Sequence, residues 1–317
     1  MALMVIFSQL LLPLVLLAWL AAFPARNPVV WIVQLVSVAA ILLGIGLVAL
    51  WTLPPFWTPY IHAVLLVLIA ALQLIKRIGS ADSFGKNTVV NNVLVIVVAG
   101  LGSVGSYLAW QAVQGRVLPD ETVVDIAPPF APGQYLVAHG GAKLMVNVHL
   151  TTLDQSVERF APWRGQSKAL DIFRITPTGF HKDGWLPTNP ADYQAFGVPV
   201  IAPCAGEVAL VVDGLADMQV PVMDPENRAG NFVAVDCGEF VVILAHLRRN
   251  SIVVAAGDSV QVGDALGEMG NSGNSSEPHL HLHAQRGLPA DAPLGGEPLW
   301  LTIDGQFPVR NDRIHVD

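Results

Sequence analysis

The chain is predicted to fold as a mostly β soluble domain preceded by a four-helix transmembrane region. Three observations predict this. Residues 1–112 are almost wholly apolar, with one acidic residue (Asp82) and four basic ones (Arg26, Lys76, Arg77, Lys86). Residues 113–317 carry 13 basic and 24 acidic residues, a net of −11, and show valine-rich runs parted by glycine turns with no sustained 3.6-residue apolar period. Within them, Glu277-Pro278-His279-Leu280-His281-Leu282-His283 alternates histidine with apolar residues. A strand with that pattern turns all its imidazoles to one side.

Four apolar spans are expected at about 5–22, 29–52, 58–75 and 90–111. Each is near the roughly 20 residues needed to cross about 30 Å of hydrocarbon. The first lacks a basic lead-in and is followed at once by another long span, so it is read as a membrane span rather than a cleaved leader. Arg26 falls between spans one and two, and Lys76, Arg77 and Lys86 between spans three and four, which places both loops in the cytoplasm. The loop between spans two and three is uncharged and flanked by Trp51, Trp57 and Tyr60, as an outer interfacial belt would be. Both termini, and with them the soluble domain, are then extracytoplasmic. The expected location is a bacterial cytoplasmic (inner) membrane protein, multi-pass, in contact with membrane lipid. The spans hold almost no charge to form an ion path, which favours an anchor, with room for a membrane protein partner, over a transporter.

The net of −11 on residues 113–317 argues against a nucleic-acid ligand, since nothing would offset phosphate repulsion. Cys204 and Cys237 admit two readings: buried thiols acting as small hydrophobes, or one disulfide, which an extracytoplasmic compartment permits.

Residues 113–134, rich in proline, read as a linker, and residues 135–317 as the outer domain. Tyr135–Ala138 and Leu144–Leu150 read as two short strands around the Gly140-Gly141 turn. Residues 151–168 read as irregular. Ala169–Ile175 reads as a strand with Asp171 on the face opposite Leu170 and Ile172. A long loop, 176–198, is of the kind that roofs a groove. Gly206–Asp213, Asn231–Asp236, Phe240–His246, Ser251–Val254, Gly257–Val260, Gly263–Gly270 and His279–Gln285 complete the expected strands and tight turns. Asp171, with the histidines of the 279–283 run, supplies the donors of a candidate zinc site.

Several stretches, in order, resemble one family. They are Val200–Val208, Gly230–Gly238, Ala245-His246-Leu247, Ser251–Asp264 and Gly270–His281. With the Asp171 strand, about residues 135–285 resemble the M23 family of LytM/lysostaphin-type zinc metallopeptidases, whose fold is the duplicated hybrid motif of antiparallel sheets. The resemblance implies that Asp171 and His281 are zinc ligands and that His246 and His279 are catalytic. It implies Zn2+ as cofactor and cell-wall peptide cross-links or stem peptides as substrate, with a protein substrate as a further option. One position departs from the family pattern: Ser167 stands where the family's first zinc histidine is expected, and a serine hydroxyl is a poor zinc ligand. His149 is the favoured replacement, giving a metal set of His149, Asp171 and His281. His139 or His181 would be substitutes, and a metal-poor domain that binds or regulates without turnover is the alternative. Glu277 reads either as a carboxylate orienting an imidazole or as a solvated loop acid. Asn147, two before His149, reads as groove-lining or as a plain hydrogen-bonding residue. His283, where the resemblance implies a polar or acidic residue, reads as a supporting or rim residue rather than a ligand.

Overall fold

The computed structural model describes residues 2–79 and 88–317. Lys86, used in the orientation reading, and Asp82, used in the composition count, lie outside the described residues. The chain divides into two compact units, Met1–Gln114 and Gly115–Asp317.

Among the described residues, the first unit holds four helices long and apolar enough to cross a membrane: Met4–Ala22, Pro28–Val48, Thr58–Gly79 and Val89–Gln114. Asn27 starts the second, its side chain accepting from the amides of Val29 and Val30, with Pro28 in the first turn. Glycines let the second and fourth helices touch backbone to backbone. A Cβ at Gly105 would lie 2.6 Å from the Ala40 carbonyl oxygen, and one at Gly102 would lie 2.9 Å from Ser37 Cα. The buried Gln73 amide is satisfied at both ends, as a segment without water favours. Nε2 of Gln73 donates to the Leu20 carbonyl at 2.6 Å, and Trp31 Nε1 donates to Gln73 Oε1 at 2.6 Å. The Arg77 guanidinium donates to the carbonyls of Ala25 and Arg26 and covers the Trp31 ring, so the end of the third helix meets the turn between the first two.

The second unit is mostly β. Its strands are β1 (Val123–Ile126), β2 (Gly133–His139), β3 (Leu170–Ile175), β4 (Pro199–Ile201), β5 (Gly206–Val212), β6 (Asn231–Asp236), β7 (Val241–Leu247), β8 (Ser259–Val260), β9 (Ala265–Glu268), β10 (Leu280–Arg286), β11 (Glu297–Ile303) and β12 (Arg313–Val316). The main sheet runs β12-β2-β3-β10-β7-β6-β5-β8, and β4 pairs with β9 in a small second sheet. Strand β10 organises the main sheet. One edge pairs with β7, while the other meets β3 through Leu280–Leu282 and β11 through Ala284–Arg286, all antiparallel.

Alternation along β10 divides its chemistry. Leu280, Leu282 and Ala284 join a core with Leu170, Ile172, Leu244 and Val233. His281, His283 and Gln285 take the opposite face. Truncating Leu282 in that core would cost about 2–5 kcal/mol. Strand β7 is buried along its whole length, matching its unbroken apolar run Val241–Ala245.

Four local expectations are corrected. Val123–Ile126, inside the expected linker, is a strand paired in parallel with β11. Ser251–Val254 is not a strand. The expected strand Leu144–Leu150 is instead a turn leading into a 3-10 helix, Val148–Leu153, and the stretch expected to be irregular holds a second 3-10 helix, Glu158–Lys168. The Asn147 side chain causes the first change of direction: its oxygen accepts from the His149 amide, and its nitrogen donates to the carbonyls of Gly141 and Ala169. Asn147 is therefore fully buried and does not line a groove. Cys204 and Cys237 form a disulfide, with Cα atoms 5.9 Å apart.

Candidate metal centre

Asp171 sits at the meeting point of three elements. On β3 it faces His281 of β10 on one side and His139 of β2 on the other, where β2 carries a bulge. The 3-10 helix beginning at Val148 brings His149 over the same carboxylate. Nε2 of His149 lies 3.0 Å from Asp171 Oδ2, and Nδ1 of His281 lies 2.9 Å from Oδ1. Nε2 of His279 is 3.4 Å from Oδ1. One donor atom from each of His149, Asp171 and His281 lies within 4.8 Å of the others.

This donor set fits a divalent cation such as zinc. Two imidazole nitrogens and a carboxylate oxygen from three segments can close around one ion at the usual distances of about 2.0–2.2 Å and leave a fourth position open. Burial would raise the Asp171 pKa, but the charges and hydrogen bonds of His149 and His279 outweigh it and hold the carboxyl well below its ordinary value. It is a carboxylate at neutral pH.

His246 and His279 flank this cluster. The His246 ring is 4.9 Å from that of His279 and 5.5 Å from that of His281, centroid to centroid. His246 holds a left-handed backbone (φ 62°), which for a side chain of this kind costs on the order of 1–3 kcal/mol. Its amide donates to the Ala229 carbonyl and its carbonyl accepts from Gly270, so the surroundings enforce the conformation. Nδ1 of His246 lies 2.9 Å from the Ser272 carbonyl oxygen, an acceptor only. That nitrogen therefore carries the proton. Nδ1 of His279 likewise faces the Glu277 carbonyl at 2.8 Å. Burial, reinforced by the neighbouring histidines, pushes His246 well below the ordinary histidine range. Burial also acts to lower His279, but the charge and hydrogen bond of Asp171 outweigh it and raise the group.

The remaining sequence candidates take other places. Ser167 is fully buried, with Oγ donating to the Arg164 carbonyl at 2.6 Å and 2.7 Å from Thr152 Oγ1, so its hydroxyl is engaged by these two groups. Glu277 is neither a solvated acid nor the partner of a cluster imidazole through its carboxylate. Its Oε2 lies 3.1 Å from His181 Nε2 and 3.4 Å from Lys182 Nζ, tying the 176–198 loop beside the site. Burial would raise Glu277, but hydrogen bonding and charge from His181 and Lys182 bring it down to about 2. His181 is buried between the rings of Phe173 and Tyr193. His139 stands 5.8 Å from the His149 ring and accepts at Nδ1 from Arg310 Nη2, 2.7 Å away. His283 is buried rather than on a rim, with Nδ1 3.2 Å from His281 Nε2. Sequence reasoning missed Arg310, Ser272 and Gln285. Only Gln285 left a signal, as the next polar residue on the histidine face of β10.

Residues 188–292 match the sequence model of Peptidase family M23. That stretch holds His246, Glu277, His279, His281 and His283, and lies beyond His149 and Asp171. Among solved structures, the chain is similar to lysostaphin in solution (20% identity over 39% of this chain and 39% of that one, TM-score 0.25). It is similar to a zinc-containing peptidase from Vibrio cholerae (16% identity, 37% and 46% covered, TM-score 0.23). It is also similar to a putative M23 peptidase from Pseudomonas aeruginosa (25% identity, 43% and 56% covered, TM-score 0.23). The chain thus spans 39%, 46% and 56% of the lengths of these three. The C-terminal unit has an M23-family zinc-peptidase-like fold with a His/Asp/His cluster able to coordinate a metal, behind four candidate membrane helices.

Proposed function

We propose that the protein is a zinc-dependent endopeptidase acting on the peptide cross-links or stem peptides of a bacterial cell wall, held at the cytoplasmic membrane by four spans with its C-terminal unit outside. The observation that carries this reading is the Asp171 carboxylate shared by His149 and His281, with His246 and His279 beside it. His149, Asp171 and His281 would hold the ion. Bound zinc supplies a Lewis acid and a water of near-neutral pKa.

The protein's own groups divide the remaining work. His246 has its proton on Nδ1, fixed by the Ser272 carbonyl, so Nε2 offers a lone pair that can take a proton from an attacking water. His279 has Nδ1–H fixed by the Glu277 carbonyl and presents Nε2 next to Asp171, where a proton on it can stabilise a developing oxyanion and pass to the leaving amine. Neighbouring imidazoles whose environments push them in opposite directions suit an acceptor and a donor.

Arg77 meets the carbonyls of Ala25 and Arg26, so Arg26, Lys76 and Arg77 gather at one end of the bundle, and the excess of basic residues there favours that end as the cytoplasmic one. Protease treatment of intact spheroplasts should remove the C-terminal unit, and its full protection would overturn that placement.

A second reading has one observation in its favour. Ser167 stands where the resemblance expects the first zinc histidine, and its hydroxyl is taken up by the Arg164 carbonyl and Thr152, as suits a module that binds peptide without cleaving it. Turnover separates the two. The full chain in detergent micelles with zinc should release new amino termini from cross-linked wall fragments, and a chelator should stop it. A zinc-loaded protein that binds those fragments and releases nothing would establish the second reading.

A further inference from the structure

Two polar side chains continue the histidine face of β10, and the mechanism above uses neither. His283 and Gln285 follow His281 at intervals of two, and are 1% and 0% exposed. Nε2 of His281 lies 3.2 Å from Nδ1 of His283. The Gln285 amide has a fixed orientation, because its Nε2 donates to the carbonyls of Gly287 (2.7 Å) and Pro293 (2.8 Å), which can only accept. Oε1 of Gln285 and Nε2 of His283 are both buried, and among the described residues neither makes a well-formed hydrogen bond with any other group. The two side chains lie two residues apart on one strand face, so each of these orphaned atoms offers what the other lacks, an acceptor and a ring nitrogen that can carry a proton. Gly165 lets the backbone close over this amide, since a Cβ there would collide with Gln285 Oε1.

We propose that His283 and Gln285 are positioning residues that fix the tautomer of His281 and so preset its Nδ1 as a metal ligand. The inference rests on the metal reading given under Proposed function. Oε1 of Gln285 accepts only, so it takes the proton on Nε2 of His283. A neutral His283 then has a lone pair on Nδ1, which accepts from Nε2–H of His281. A neutral His281 in turn has a lone pair on Nδ1, aimed at Asp171 Oδ1 from 2.9 Å. Two lone pairs that close repel unless a cation lies between them. The row therefore selects a cation at this point, and it reaches from Pro293 to the cluster through side chains of one strand face.

The test uses the full chain in detergent micelles and zinc itself. Zinc dissociation constants come from competition with a chromophoric chelator, and long-range proton–nitrogen NMR on 15N-histidine-labelled protein gives the tautomers. His283→Leu should weaken zinc binding by about 10–100-fold. His283→Gln, whose Oε1 can accept the same proton, should restore it to within about threefold of the parent. The zinc-loaded parent and His283→Gln should show His281 protonated on Nε2. A parent that binds zinc with His281 protonated on Nδ1, or a His283→Leu variant with parental affinity, overturns the positioning role and leaves the metal site standing. A parent that binds no zinc overturns both. If His283→Leu does not fold, the parent's tautomer and the affinity of His283→Gln decide.

Discussion

His149 reaches Asp171 from outside the sheet, its Nε2 3.0 Å from Oδ2 across 22 positions of sequence. Strand alternation would not deliver that contact. The turn capped by Asn147 does, because it lifts the chain out of an extended path just before the histidine. In the proposed metal site, His149 on this neighbouring segment would supply the imidazole that position 167 lacks.

The cap can be tested directly. Asn147→Ala removes three hydrogen bonds in a fully buried place. It should destabilise the protein by about 1–3 kcal/mol, read from denaturant unfolding, and weaken zinc binding as His149 loses its fixed position. A variant with parental stability and affinity would show that Asn147 does not place the histidine.

Ser167 should be dispensable to the metal. Its hydroxyl engages Arg164 and Thr152. Ser167→Ala should bind zinc as the parent does while losing about 1 kcal/mol of stability. A loss of zinc on that substitution would mean that the serine faces the ion after all.

His246→Ala and His279→Ala should each retain zinc and lower turnover of wall-peptide fragments by about 10²–10⁴-fold, the usual range for a positioned proton-transfer group. Loss of zinc in either variant would move that residue from catalysis to coordination.

Part of this was legible in the sequence. The spans follow from composition, since runs such as Val29–Leu50 allow little else. Period-two alternation put Asp171 and the 279–283 histidines on defined strand faces and the family resemblance singled out Asp171 and His281, which β3 and β10 place as direct cross-strand partners. His149 is more instructive. Its nearness to Asp171 was anticipated, but through a strand that does not exist, because a side chain bonding to its own backbone overrode the apolar alternation. Strand β1 was hidden among prolines, and its parallel partner β11 lies far away in sequence, so no local pattern announces the pair. Arg310 approaches His139 from near the chain's end, a contact made by topology alone.

Acid should reveal Glu277. Its folded pKa, about 2, is depressed by His181 and Lys182. Its stabilising contribution is therefore fully present above the unfolded value of about 4.3 and is lost as the pH falls from there through about 2. Glu277→Gln should flatten that limb of the stability profile, measured by denaturant midpoint between pH 5 and pH 2. An unchanged acid limb would mean that the carboxylate is not ion-paired in solution.

Elemental analysis of the full-length protein purified in detergent is the decisive measurement. The geometry around Asp171 predicts close to one zinc per chain in the parent and a large loss in both His149→Ala and Asp171→Ala, with each variant still folded by circular dichroism. A parent free of zinc after exposure to the metal, or a His149→Ala protein that keeps it, would contradict the site described here.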